Sequence, residues 1–209
     1  MTDLEFTDLG ADGIEYVRAH LLGANVFCTA LLAAVEAAPG KVTTLAPRGA
    51  PRERLLRLDE GGLLKAEHAP ARVVRIADGS ALHHVPSLKV EQGAYLVSML
   101  RAAPDAICIV DDFNPSWVEV RDDAGPAAFG VNDEVYHLFT STNAPAEVVQ
   151  ALVDGDTGWH GVAALCTEAP EIDVEREADE ETLQRAALSA FVITCSAYDG
   201  EGFVIWRRT

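Results

Sequence analysis

The sequence predicts an α+β fold with a largely antiparallel sheet, three to four helices and a closing C-terminal β-hairpin. Three observations carry this. Short apolar runs separated by Gly, Pro and Asp turns outnumber the helical stretches. The helical stretches do not alternate regularly with the strands, as a doubly wound parallel fold would require. Near the end, Tyr198-Asp199-Gly200-Glu201-Gly202 joins two apolar runs, and Asp-Gly between such runs is a strong hairpin signal.

In order along the chain, Asp12–Ala38 carries helical spacing through Ile14, Val17, Leu21, Leu31 and Val35 and stops at Pro39-Gly40. Gly23 in its middle predicts a kink or a division into two helices. From Lys41 to Pro86 the runs VTTL, RLLRL, GLLKA, ARVVRIA and SALHHV read as strands and hairpins between turns. Val90–Ala103 returns to helical spacing before Pro104, and Ala106–Val110 is a short, wholly apolar strand ending in Asp111-Asp112. Strands are then expected at Trp117–Arg121, Val135–Thr140 and Gly161–Cys166. Helices are expected near Pro145–Val153 and from Asp179 to about Ala187. Phe191–Ala197 and Phe203–Arg207 form the closing hairpin. No linker rich in Ser, Gly or Pro divides the chain, so residues 1–209 are read as a single domain with a weak sub-boundary near 86–90.

Composition narrows the function. With 209 residues, 49% of them apolar, the chain can bury a core and is not a disordered tract. A net charge of −17 excludes a phosphate backbone or an anionic membrane as a direct ligand, since both need a basic face. The most apolar stretch, Leu21–Val35, is shorter than the roughly 20 residues of a bilayer span. Its approach is acidic (Asp3, Glu5, Asp8, Asp12, Glu15) where export signals are basic. Cys28, Cys108, Cys166 and Cys195 are scattered within or beside apolar runs, as expected of small core hydrophobes in a reducing cytoplasm. Abundant Ala, and Arg in preference to Lys, point to a bacterium with a GC-rich genome.

Charge is the most informative pattern. Residues 1–100 hold 12 acidic and 10 basic side chains, whereas residues 101–209 hold 21 and 6. Within the second half, Glu168–Glu181 contains eight carboxylates against Arg176 alone. Lys41–Arg75, conversely, is locally basic at net +4. A dense acidic run is solvated by self-repulsion and steers basic partners. Part of it serves a local purpose, since Asp179, Glu180 and Glu181 fall at a helix start, where the macrodipole favours negative charge.

Catalytic patterns are sparse. G-x-S-x-G, P-loop, G-x-G-x-x-G and H-E-x-x-H spacings are all missing from the sequence. Asp154-Gly-Asp156 lacks the later ligands of an EF-hand, with Leu165 where its Glu belongs, and reads as a helix-ending turn. The alternative chemistry is a metal-dependent hydrolase: Asp111 and Asp112 at a strand end, joined by His83 or His84, would hold a divalent ion and activate water.

The leading expectation is a non-enzymatic, cofactor-free protein-binding domain of a bacterial cytoplasm, of immunity, antitoxin or adaptor type. It would mask a basic protein partner, with self-association through basic and acidic segments as the other mode. Glu171, Asp173, Glu175 and Glu177 are expected to steer, and Tyr198 and Trp206 to anchor as exposed aromatics.

Overall fold

A computed structural model describes residues 4–47, 56–58, 64–66, 95–112, 127–144, 162–196 and 203–209. The expected strands ARVVRIA, SALHHV and Trp117–Arg121, the helix Pro145–Val153, the turn at Asp154–Gly158 and the sub-boundary at 86–90 lie outside the described residues.

The fold is α+β. Its framework is an eight-stranded antiparallel sheet built from β1 (Leu4–Asp8), β2 (Gly40–Pro47), β5 (Ile107–Asp112), β6 (Ala127–Val131), β7 (Glu134–Phe139), β8 (Val162–Cys166), β9 (Ala190–Ser196) and β10 (Phe203–Arg208). The strand order is β1-β2-β10-β9-β8-β5-β7-β6. β3 (Leu56–Leu58) and β4 (Leu64–Ala66) pair separately as a small antiparallel ribbon. The closing hairpin is present, with Phe203 opposite Ser196.

Helices cover both faces. Ile107 and Ile109 of β5 join the core formed with α1 (Gly10–Leu21), α2 (Val26–Ala37) and α4 (Glu180–Leu188). The alternate residues Cys108 and Val110 join a second core with Leu96, Val97 and Leu100 of α3 (residues 95–102). Successive strand residues face opposite sides, so a strand covered twice must be apolar throughout. All five residues of β8 are accordingly buried, which explains why Ala106–Val110 shows no polar alternation.

The long N-terminal helical stretch divides into two. Gly23 sits in the left-handed region at φ +69°, open to a residue without Cβ. Asn25 then caps α2, its side-chain oxygen accepting from the Cys28 backbone N–H at 2.8 Å. Asp179 does the same for α4, accepting from the Thr182 N–H at 2.8 Å, with Glu180 and Glu181 in the first turn.

Two strands were not anticipated. β1 is a short edge strand in an acidic context. β6 (AAFGV) has residues of weak strand preference, Ala127, Ala128 and Gly130, at three of its five positions. β6 is specified by its turn, since Asn132 and Asp133 take φ +49° and +66°, the left-handed pair of a two-residue hairpin.

All four cysteines are buried free thiols in the helix–sheet cores. Burial pushes Cys166 and Cys195 up to about 12 and raises Cys108 as well; Cys28 is raised by burial and then by the Asp111 carboxylate. An unfolded thiol ionises near about pH 8.5. The buried thiols therefore stabilise the fold fully below that pH, and less as pH rises, because the unfolded chain loses protons that the folded chain retains. In reductant, the urea midpoint is expected to fall steadily from about pH 8.5 upward. An aromatic disulfide reagent at neutral pH is expected to label none of the four until denaturant is added. Prompt labelling of the folded protein would contradict this burial.

Candidate functional site

The acidic run forms a braced loop between β8 and α4. Where it leaves β8, the backbone N–H groups of Thr167 and Glu168 donate to Ser189 Oγ at 3.1 and 3.0 Å, and that hydroxyl donates to the carbonyl of Ala186. Further along, Asp173 organises the tip. Its Oδ1 accepts from the Glu175 and Glu177 N–H groups at 2.9 and 3.0 Å, while its own N–H donates to the Glu177 carbonyl. Arg176 turns the chain at φ +66°.

The loop then docks on the edge strand. Gly130 of β6 donates to the Arg176 carbonyl at 2.8 Å and accepts from the Ala178 N–H at 3.0 Å, a parallel bridge at Gly130↔Glu177. An edge strand offers such unpaired backbone groups, and the acidic loop covers part of this one. Asn132 Nδ2 adds a bond to Glu180 at 3.0 Å.

Asp173 and Asp179 each commit Oδ1 to backbone N–H groups, and the acidic residues of the loop still lie at the surface. Glu171, Asp173, Glu175 and Glu177 are all exposed. Glu171, Asp173, Glu177 and Asp179 rim an open recess of about 520 Å³ with Ile172 and Ala178 at its floor. Ile172 and Ala178 also pack on the main core, which fixes the floor to the sheet. Arg185 approaches the rim, 3.9 Å from Glu168 and 3.7 Å from Glu171, but all three side chains are at least half exposed, where such pairs contribute roughly 0–1 kcal/mol. At the tip, Val174 is 100% exposed between Asp173 and Glu175. Val174 escaped sequence reasoning; its signal is a lone branched apolar residue inside Asp-x-Glu.

The other predicted residues separate. Trp206 is 0% exposed, so its expected role as a surface anchor is corrected: the indole is core. It lies in β10 opposite Val42 and Ile193, and a Cβ on Gly40 would run into its ring. The physical reason is sheet order. β10 closes the sequence but occupies an interior position in the sheet, where a large apolar side chain is covered. Tyr198, His83 and His84 lie outside the described residues.

Asp111 is buried at the end of β5 beneath the start of α2. It accepts from Asn25 Nδ2 at 2.6 Å, and Cys28 Sγ lies 3.9 Å away. Its neighbourhood includes Tyr136, whose hydroxyl donates to Glu134 and whose phenol is pushed far up by burial and then by that bond. Asp112 follows as the last residue of β5, its backbone opposite Val135 of β7. Among the described residues no group of three or more His, Cys, Asp or Glu side chains is placed to hold a metal ion. His137 is buried within β7, and His20 stacks on Tyr16 at 5.9 Å between centroids. No described helix is long and apolar enough to cross a membrane.

Comparison with protein-family models, with curated proteins and with solved structures finds no match.

Proposed function

We propose that this chain is a protein-binding domain that captures and masks a basic partner through the acidic loop between β8 and α4, acting in a bacterial cytoplasm in the manner of an immunity, antitoxin or adaptor protein. The observation that carries the reading is the recess. Four carboxylates, Glu171, Asp173, Glu177 and Asp179, rim an apolar floor of Ile172 and Ala178, with Val174 fully exposed at the tip. Such a site suits a Lys or Arg side chain, whose aliphatic stem lies on apolar surface while its head meets carboxylates. Long-range steering by the acidic half speeds encounter, and Val174 supplies the contact that water leaves on docking.

A low-salt pull-down from lysate, eluted by a salt step, identifies the partner by mass spectrometry. Its binding to the E171Q/D173N/E175Q/E177Q variant is then followed by stopped flow. Asn at 173 retains the Oδ1 acceptor that organises the loop, so the change is chiefly one of charge. The association rate is expected to fall about tenfold or more at low salt, with a flatter salt dependence. An unchanged association rate would remove electrostatic capture from this reading.

A further inference from the structure

A cavity of about 370 Å³ opens on the opposite side of the sheet, two strands from its other edge, where β2, β10 and the first turn of the described α3 meet. Its wall is set by strand register. Thr43 stands opposite Ile205 and Lys41 opposite Arg207, two cross-strand pairs that share one face. Tyr95 of α3 and Thr209 also line the cavity, Thr209 held by its N–H to the Pro39 carbonyl at 3.1 Å.

Placing Lys41 directly across from Arg207 sets two like charges face to face, an arrangement that destabilises a sheet unless an anion offsets it. Asp8 supplies one such anion, its Oδ2 3.0 Å from Lys41 Nζ. Arg208, the third cation at the cavity, donates Nη2 to the Leu188 carbonyl at 3.1 Å and lies by the Trp206 ring on the other face. Among the described residues no carboxylate forms an ion pair with Arg207. Its guanidinium is also felt by Tyr95, whose phenol burial pushes up and the Arg207 charge pulls back down. The cavity thus combines the Arg207 guanidinium, hydroxyls on Thr43 and Tyr95, and an apolar surface made by Ile205 and the Tyr95 ring, while Arg208 is engaged with the Leu188 carbonyl.

We infer that this cavity binds a small organic monoanion, a carboxylic acid with an apolar or aromatic body: Arg207 takes the carboxylate in its fork and the body lies between Ile205 and the Tyr95 ring. The planar donors of Arg207 fit a carboxylate bidentately, and the apolar surface of Ile205 and Tyr95 beside them suits an organic body rather than a bare inorganic anion. The volume is that of an ordinary small-molecule site. The acidic loop sits at the β6 end of the sheet, so the two sites are separate and the anion does not meet the carboxylate rim.

Titrating the full chain with benzoate, benzamide and inorganic phosphate, and following the Ile205 methyl and Arg207 side-chain resonances, tests the assignment. Benzoate is expected to shift both sets of resonances. Benzamide, the same body without the charge, and phosphate, the charge without the body, are each expected to bind at least about tenfold more weakly. Arg207→Gln is expected to weaken benzoate about tenfold or more without moving the melting temperature, because the side chain is exposed. Arg101→Gln, a change at an exposed arginine on α3 outside the cavity, should leave benzoate binding unchanged. Equal binding of benzoate and benzamide, equal binding of benzoate and phosphate, or undiminished benzoate binding by Arg207→Gln would each overturn the proposal.

Discussion

Replacing Trp206 by Ala is expected to destabilise the protein by about 3–5 kcal/mol, the range for removing a fully buried large aromatic. The indole is 0% exposed in the middle of the sheet, bounded by Val42 and Ile193 on the neighbouring strands. Gly40 leaves the space that the ring fills, since any side chain there would collide with it. Truncation opens a hole that adjoining strands cannot close, because their positions are fixed by ladder hydrogen bonds on both sides of β10. Urea unfolding followed by circular dichroism should show a lower midpoint with an unchanged slope. A variant that keeps its midpoint but loses a binding partner would instead return Trp206 to the surface role expected from sequence.

Asn25→Ala is expected to cost about 2–4 kcal/mol, well beyond the ~1 kcal/mol of an ordinary helix cap. Two bonds are lost at once. The oxygen of Asn25 caps α2 at the Cys28 N–H, and its nitrogen donates to the buried carboxylate of Asp111 at 2.6 Å. Removing that donor takes a short hydrogen bond from a buried carboxyl group, which is the expensive part. Asn25→Ser, which restores the cap but not the reach to Asp111, should recover about 1 kcal/mol and no more. Full recovery by Ser would show that the cap alone matters and that the link between α2 and β5 contributes nothing. Equilibrium unfolding of the wild type and both variants resolves the two contributions.

Much of the fold was legible in the sequence because local signals coincide with tertiary need. Pro39-Gly40 ends α2 where the core face of that helix ends, and Asp-Gly near residue 200 joins strands that are neighbours in the sheet. Asp179 and the two glutamates after it mark the start of α4 by cap and dipole, both short-range effects. β6 was hidden because its specification lies in the backbone of Asn132 and Asp133 rather than in the side chains of the strand. β1 is five residues at an edge, too short to show a period.

The candidate sites divide along the same line. The sequence by itself determined that the second half is acidic, that Glu168–Glu181 carries the densest charge, and that the cysteines sit among apolar neighbours, because composition along the chain needs no partner to be read. Only the tertiary structure decided that Asp173 folds the acidic run into a braced loop against Gly130, with Val174 outermost. It also decided that Trp206 is core, that Asp111 bonds to Asn25, and that Lys41 faces Arg207 across two strands far apart in sequence. Each of these depends on which elements become neighbours and which face is covered, and contacts between residues dozens of positions apart, or more than a hundred as for Lys41 and Arg207, leave no mark on either local stretch.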